Sequence, residues 1–419
     1  MKRLLWVVFV LLVVGMMCAC GKKAPLSPQK TTEKPTEPSE AVSGSAVTES
    51  PTATPISAQD AYEQAEKIMA GMTLEERVGQ MFLVDLYQLD SKRTLDGTIQ
   101  SVTKRMGEAI RHYNIGGVYL TETNLKEKKQ SQKLIRDLQN QAVTGGSLYV
   151  AVEEEGGGSN SISARVAGLN NIGYIPPGQM AGSMLPRQVY QSGKNIGVEL
   201  TKLGVNLNLA PVADIGDEDN PEYLERCLGT ESEQVSEMLE NYVKGMRDGG
   251  LVVTMKYFPG IGNVPGDYTE TVLENKDSLM SLRDNNFEVY QSGINAGADC
   301  VMVGNVAVTQ VMEEKMPAFM SQDIVTKILR EELNFDGVIM TSPFDDNVIR
   351  NCYTYEYATV QAVKAGCDII VLPGELERCY EALLDAVKRG KVEEEIINTS
   401  VCRILQNKIQ RGILVVDNK

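Results

Sequence analysis

The chain has 419 residues, 42% of them hydrophobic, enough for one large core or two ordinary ones. Its 56 acidic and 41 basic side chains leave a formal net charge of −15. That balance excludes nucleic acid as a partner, because phosphate binding needs a basic face. There is a single histidine, His112.

The N-terminus reads as a targeting segment rather than as part of the fold. Lys2-Arg3 is its positive end, and Leu4 to Met17 is an apolar stretch too short for a comfortable transmembrane helix. It ends in Met17-Cys18-Ala19-Cys20-Gly21-Lys22-Lys23, which resembles a bacterial lipobox with Ala19 before the cut and Cys20 receiving the lipid. Residues 1–20 are then a lipoprotein signal peptide. A plain signal peptide with two chance cysteines is the alternative. Acyl chains on Cys20 hold such a protein on the outer face of the cell membrane, an extracytoplasmic location without a protein span. Residues 21–56 are rich in Pro, Thr, Ser, Glu and Lys and nearly devoid of large apolar side chains, so they are expected to be a disordered tether. The folded part is residues 57–419. Its six cysteines, Cys227, Cys300, Cys352, Cys367, Cys379 and Cys402, show no CxxC or zinc spacing. Export permits disulfides, but burial in strands and helices makes most of them free core thiols. No metal and no cofactor is expected.

Helical spacing runs over Ala58–Ala70, and Thr73-Leu-Glu-Glu76 is a capping box that starts a second helix. Apolar strand candidates follow at Gln80–Leu86, Gly117–Leu120, Leu148–Val152, Val205–Pro211, Leu251–Phe258, Cys300–Val306, Gly337–Thr341 and Asp368–Leu372. Between most of them lie segments of helical period: Gln130–Ala142, Glu231–Gly245, Ser278–Ala296, Ser321–Glu332, Tyr355–Ala365 and Glu375–Lys388, with Glu393–Gln410 closing the chain. Eight apolar runs alternating with helices predict an α/β fold of the TIM type, a (β/α)8 barrel. A doubly wound sheet would have fewer strands and a glycine-rich phosphate turn after the first, and none follows Gln80–Leu86.

Chemistry in a barrel sits on the loops after the strand C-termini. The richest of these is Met255–Thr271, where a proline, glycines and a second proline follow a buried strand. It contains no histidine.

Together, several strand ends resemble glycoside hydrolase family 3, and within it the single-domain β-N-acetylglucosaminidases that trim cell-wall fragments. The resemblance runs from Leu74 to Leu414. It is carried by Leu74-Glu-Glu-Arg-Val-Gly-Gln-Met-Phe82, Gly116-Gly-Val-Tyr-Leu120, Glu155-Gly-Gly157, Asn208-Leu-Ala-Pro-Val-Ala-Asp214, Asn220-Pro221, Arg226-Cys-Leu-Gly229, Lys256-Tyr-Phe-Pro-Gly-Ile-Gly262 and Asn334-Phe-Asp-Gly-Val-Ile-Met-Thr341. It implies retaining hydrolysis of amino-sugar glycosides, in which a carboxylate attacks the anomeric carbon and a second group protonates the leaving oxygen.

The residues depart from that pattern. The implied nucleophile position is Ser342, and a serine without an adjacent base is a poor nucleophile at neutral pH. The proton-donor position is Thr269, which cannot titrate near neutrality; its supporting aspartate is retained as Asp267. The aspartate before Glu-Gly-Gly falls on Glu153, and the arginine after the glycines on Gly158. Three family histidines fall on Tyr257, Ile261 and Asn305. Arg226, Lys256 and Asp214 are retained, and the resemblance makes the two cations donors to sugar oxygens. Substrate contact is therefore assigned to Glu153, Asp214, Arg226, Lys256, Tyr257 and Asn305. Other readings stay open. The alternative for Asp214 is a helix cap or a pair with Lys256, for Arg226 a structural ion pair, and for Asp267 a turn residue. Glu153-Glu-Glu155 is either a solvated charge run or a set of carboxylates that raise one another's proton affinity. Asp345 and Asp346 either cap a helix or re-supply a displaced carboxylate.

Three functions compete. One is an active exo-glycosidase drawing on Asp345 or Asp346, with an acid from Glu153–Glu155 or Asp267 and carboxyls about 5–5.5 Å apart. The second, favoured by the residues, is a non-hydrolytic lipoprotein that binds an N-acetylamino sugar or muropeptide. The third is a structural envelope module.

Overall fold

A computed structural model of the chain describes residues 56–90, 98–143, 146–157, 162, 166–169, 175–261, 264, 266–267, 270–312, 314–344 and 346–416. The chain divides into Met1–Ala53 and Thr54–Lys419. The signal peptide with Cys20, the tether, Gly158, Thr269 and Asp345 lie outside the described residues.

Eight parallel strands form the centre: β1 (Phe82–Asp85), β2 (Gly117–Tyr119), β3 (Tyr149–Val152), β4 (Leu207–Asn208), β5 (Val252–Phe258), β6 (Cys300–Val303), β7 (Val338–Thr341) and β8 (Ile370–Val371). They pair in the order β8-β1-β2-β3-β4-β5-β6-β7. A parallel bridge between Met340 and Ile369 joins the two ends, with Asp368 N–H donating to the Ile339 carbonyl at 2.7 Å and Thr341 N–H to Ile369 at 3.0 Å. The sheet is thus a TIM-type barrel, as the alternation of apolar runs and helices predicts. Strand residues are buried throughout except Asp85 and Tyr119, at the tops of β1 and β2. Burial on both faces is why these strands read as unbroken apolar runs.

The helices follow the expected spacing closely. Ala58–Ala70, Tyr355–Ala365 and Glu394–Gln410 lie where the periodicity puts them, and the Thr73 capping box is present. The expected helix Ser278–Ala296 is two, Leu279–Asp284 and Asn286–Asn295, broken at Asn285. The segment expected to be a regular helix at Ser321–Glu332 is a π-wound turn of chain, Asp323–Glu332.

Several helices escape the sequence pattern, the two longest being Lys104–Tyr113 and Pro186–Thr201. Lys104–Tyr113 carries few apolar residues and takes its reciprocal cap from the Met106 sulfur. Pro186–Thr201 contains Gly193 and Gly197, which read as helix breakers. Gly193 lies against Tyr242 and Met246 of the helix Ser232–Asp248, Gly197 against Met246 and the C-cap Gly249, and Gly245 against Tyr190 and Lys194; a Cβ on Gly249 would lie 2.6 Å from the Gly197 Cα. The four glycines let two backbones touch. Gly245→Ala would drive its methyl into the Tyr190 carbonyl. It should therefore cost about 1–3 kcal/mol, as overpacking does, seen as a fall of several degrees in the thermal midpoint with the barrel's circular dichroism unchanged.

The floor of the barrel is closed by the last helix. Tyr149, at the foot of β3, donates to Asn407 at 2.7 Å, and its ring lies 4.9 Å from the Lys408 ammonium. At the feet of β6 and β8, Asp299 accepts from Val253 N–H and meets Arg247, while Asp368 accepts from Ile339 N–H and meets Arg330 and Arg403. Each carboxylate satisfies a strand-start amide that its neighbour leaves open. All six cysteines among the described residues are free thiols; five are buried and Cys352 is exposed.

Candidate functional site

At the opposite end, the strand tops bring four charges together. Lys256 lies within β5 with its side chain 1% exposed, and its ammonium contacts Glu153 and lies 2.6 Å from Glu155. Arg226, carried by the segment after β4, clasps Glu155 through both Nε (2.8 Å) and Nη2 (2.6 Å). Paired N–H donors matched to the two carboxylate oxygens make this the strong form of the contact. Nη2 also donates to the Tyr257 hydroxyl at 3.0 Å and lies 3.8 Å from Glu153. The Lys256 ammonium is 5.2 Å from the Tyr257 ring.

Electrostatics in this cluster run against the expectation for adjacent carboxylates. Burial alone would raise the Glu155 carboxyl, but the charge of Lys256 and the hydrogen bonds and charge of Arg226 overcome it and hold it at about 2. Burial would lower Lys256, and Glu153 and Glu155 push it above its ordinary value. Both stay ionised at neutral pH, so Glu155 cannot donate a proton there. Nor is Glu153-Glu-Glu155 a solvated charge run. Glu154 is fully buried, accepting from Gly156 N–H at 3.0 Å, and Asn208 of β4 exchanges two hydrogen bonds with its backbone.

Asp214 is likewise fully buried. It accepts from the Tyr223 hydroxyl (2.9 Å), Ile261 N–H (2.6 Å), Ile215 N–H (3.0 Å) and the Asn286 amide (3.2 Å). The break at Asn285 is what lets Asn286, at the start of a new helix, reach it. Asp214 thereby ties the loop after β5 to the segment after β4. Gly260, at φ +115°, belongs to the same junction, because a Cβ there would meet the Asn286 amide.

The positions assigned to catalysis lie on neighbouring strand tops. Ser342, just past β7, is 2% exposed, and its hydroxyl donates to the Val303 carbonyl at 3.0 Å. Asn305, past β6, donates to an Asp346 oxygen at 3.1 Å, while its own Oδ1 is buried without a donor. Asp346 occupies the N-cap position of the helix Asn347–Cys352 but does not cap it with its side chain. Asp267 is exposed on a turn closed by Glu270 N–H donating to its carbonyl. That turn is fastened to the loop after β7, since Asn347 contacts Glu270 and the Asn351 amide donates to the Glu270 carbonyl at 3.1 Å. Ile261 is buried and engaged through its backbone.

The structure therefore gathers Glu153, Arg226, Lys256 and Tyr257 into one cluster, joins Asn305 to Asp346 in another, and places Asp214 beneath the loop. Glu155, which the sequence offers only as one of a run of three glutamates, is the carboxylate that both cations hold. Sequence reasoning missed two participants. Tyr223 and Asn286 carry no signal, because only the folded chain brings them to Asp214.

The model of the glycosyl hydrolase family 3 N terminal domain matches residues 73–407. The chain belongs to glycoside hydrolase family 3. Beta-hexosaminidase A of Pseudoalteromonas piscicida is 26% identical over 80% of this chain and 61% of its own length, and a beta-hexosaminidase of Photobacterium profundum is 26% identical over 73% and 92%. The family 3 beta-N-acetylglucosaminidase of Paenibacillus sp. FPU-7 superposes with a TM-score of 0.74, at 29% identity, over 83% of this chain and 65% of that one. The chain thus spans less than two thirds of some relatives and nearly all of others. In this family 3 barrel the cation–carboxylate cluster stands at the mouth beside the Asp214 junction. The expected nucleophile position holds a hydroxyl bonded to backbone.

Proposed function

We propose that this family 3 barrel is a non-hydrolytic binder of a terminal N-acetylamino sugar, such as that of a peptidoglycan fragment, held on the outer face of the membrane through lipid on Cys20. The observation that carries the reading is Ser342. Its hydroxyl donates to the Val303 carbonyl, with no base in contact with it among the described residues. A nucleophile needs a base to take its proton or a charge of its own, and among the described residues Ser342 is given neither. Binding capacity is supported by the neighbouring cluster. Arg226 is 20% exposed and Glu153 37% exposed, so a guanidinium and a carboxylate face the mouth, with Glu155 holding the first and Lys256 the second from behind. Sugar hydroxyls take hydrogen bonds from the first and give them to the second.

The alternative, an active exo-glycosidase, draws on Asp346, whose carboxylate is kept at the mouth by Asn305. A chromogenic N-acetylglucosaminide assay on the full chain separates the two. The expected result is no turnover, with measurable muropeptide binding that weakens at least tenfold in Arg226→Ala. Turnover abolished by Asp345→Ala or Asp346→Ala would establish the active enzyme. Neither turnover nor binding would leave a structural envelope module.

A further inference from the structure

The pleat of the barrel decides which side chains enter the mouth. Met255 of β5 points outward, where a Cβ on Gly293 of the helix Asn286–Asn295 would meet its sulfur. The alternate positions Val252, Thr254 and Lys256 therefore face inward. Val252 pairs with Leu207, Leu207 with Ala151, Ala151 with Tyr119 and Tyr119 with Asp85, so the same face runs across β4, β3 and β2 to β1. Glu153, two residues past Ala151, continues that face to its contact with Lys256. Asp85, Tyr119 and Glu153 are half-buried, whereas Leu86, Leu120 and Glu154 beside them are buried. Three adjacent strand tops thus form one solvent-open wall. In the closed order of eight strands β1 stands four places from β5, which puts Asp85 across the mouth from Lys256.

The Asp85 side chain is fixed by a reciprocal pair with Gln88. Gln88 N–H donates to its Oδ1 at 2.7 Å, and Asp85 N–H donates to the Gln88 Oε1 at 3.1 Å. Tyr87 N–H adds a second backbone donor. Burial raises the Asp85 carboxyl above its ordinary value, and the two amides offset part of that rise. No cation pairs with it among the described residues. Glu153 and Glu155 are matched by Lys256 and Arg226, so Asp85 leaves this set of side chains net negative. A carboxylate here only accepts hydrogen bonds, and it repels a second carboxylate brought by a ligand. The geometry points to Asp85 as a ligand-contacting residue, one that accepts a hydrogen bond from a hydroxyl or amide N–H of the bound amino sugar and selects neutral amino sugars over those bearing a carboxylate. This inference rests on the reading of the mouth as an amino-sugar site.

Isothermal titration calorimetry of the full chain at low ionic strength tests it with N-acetylglucosamine and with N-acetylmuramic acid, which carries a carboxylate. The wild-type chain should bind the neutral sugar about tenfold more tightly. Asp85→Asn keeps the shape, and its Oδ1 still accepts from Gln88 N–H, which puts the Nδ2 donor where the other oxygen stood. Affinity for N-acetylglucosamine should fall about tenfold, and the preference between the two sugars should disappear. A residue that only shapes the strand top would weaken both sugars alike and leave their ratio unchanged. That outcome, or equal affinities in the wild-type chain, overturns the inference and leaves the amino-sugar reading in place. Binding of neither sugar by the wild-type chain overturns both. Should Asp85→Asn lose its thermal transition, Asp85→Ser, also uncharged but smaller, decides by the same ratio, and an unchanged ratio there overturns the inference.

Discussion

Lys256→Met should lower the stability of the barrel by about 3–5 kcal/mol, the usual result of removing one partner from a buried ion pair. The methionine keeps the bulk of the side chain and removes the charge. Glu155, 4% exposed, then keeps only Arg226, and Glu153 loses its closest cation. Chemical denaturation monitored by tyrosine fluorescence reads the loss directly. A pH series adds a signature that simple loss of packing lacks. In the wild-type chain the folded Glu155 carboxyl, at about 2, lies below its ordinary 4.5. A depressed carboxyl contributes stability that is complete above the unfolded value and disappears as pH falls through the folded one. Stability should therefore drop between pH 4.5 and 2, and that drop should shrink in Lys256→Met. An unchanged acid limb would show that the lysine does not hold the carboxylate ionised.

The second large effect is at the barrel floor. Lys408 is 1% exposed, bonded to the Gln80 side chain at 3.0 Å and facing the Tyr149 ring. Among the described residues no carboxylate is bonded to it, and burial lowers its ammonium to about 7 from 10.5. Between those values the unfolded chain carries a proton that the folded chain lacks, so stability rises with pH across that window. At about 1.4 kcal/mol per unit, the gain from pH 7 to 9.5 is about 3 kcal/mol. Lys408→Met should flatten that slope, stabilising the chain most near pH 7 and little at pH 9.5. Part of the gain is offset by the Gln80 oxygen it leaves unpaired. Parallel slopes in the two proteins would refute the assignment.

Both lysines are fully buried on one barrel, yet their environments drive them in opposite directions. Lys256 sits between two carboxylates at the mouth, where opposite charge outweighs burial. Lys408 has an amide and an aromatic face, and burial wins. A binding surface gains from fixed ionised groups, because they offer a ligand hydrogen bonds without first having to reorganise.

Much of this was legible in the chain. All eight barrel strands fall inside the apolar runs, because a parallel strand buried on both faces is apolar at most positions, with Lys256 in β5 and Asn208 in β4 as bonded exceptions. Arg226, Lys256 and Glu153 each stand in a motif at or just beyond a strand end, which is how the sequence singles them out, and the fold brings the three together. The reading of Ser342 as the nucleophile position rests on the sequence, through the register of the Gly337–Thr341 strand.

Other features are set only by contacts between distant segments. Gly193 and Gly197 look like helix breakers until the backbone at Tyr242, Met246 and Gly249 lies against them, because local propensity carries no information about an approaching backbone. The direction in which Glu155 is shifted depends on which charges lie within a few ångströms. A run of three glutamates predicts mutual repulsion, whereas the fold supplies Lys256 from β5 and Arg226 from the segment after β4. Asp214 was open to several roles in sequence, and the break at Asn285, which no periodicity signals, makes it the anchor of the loop after β5. Strand positions and residue identities at the barrel mouth therefore follow from the sequence, through the burial that each position demands. Charge states, close helix contacts and the anchoring of the loops follow from the tertiary structure, because they depend on distances that the chain acquires only on folding.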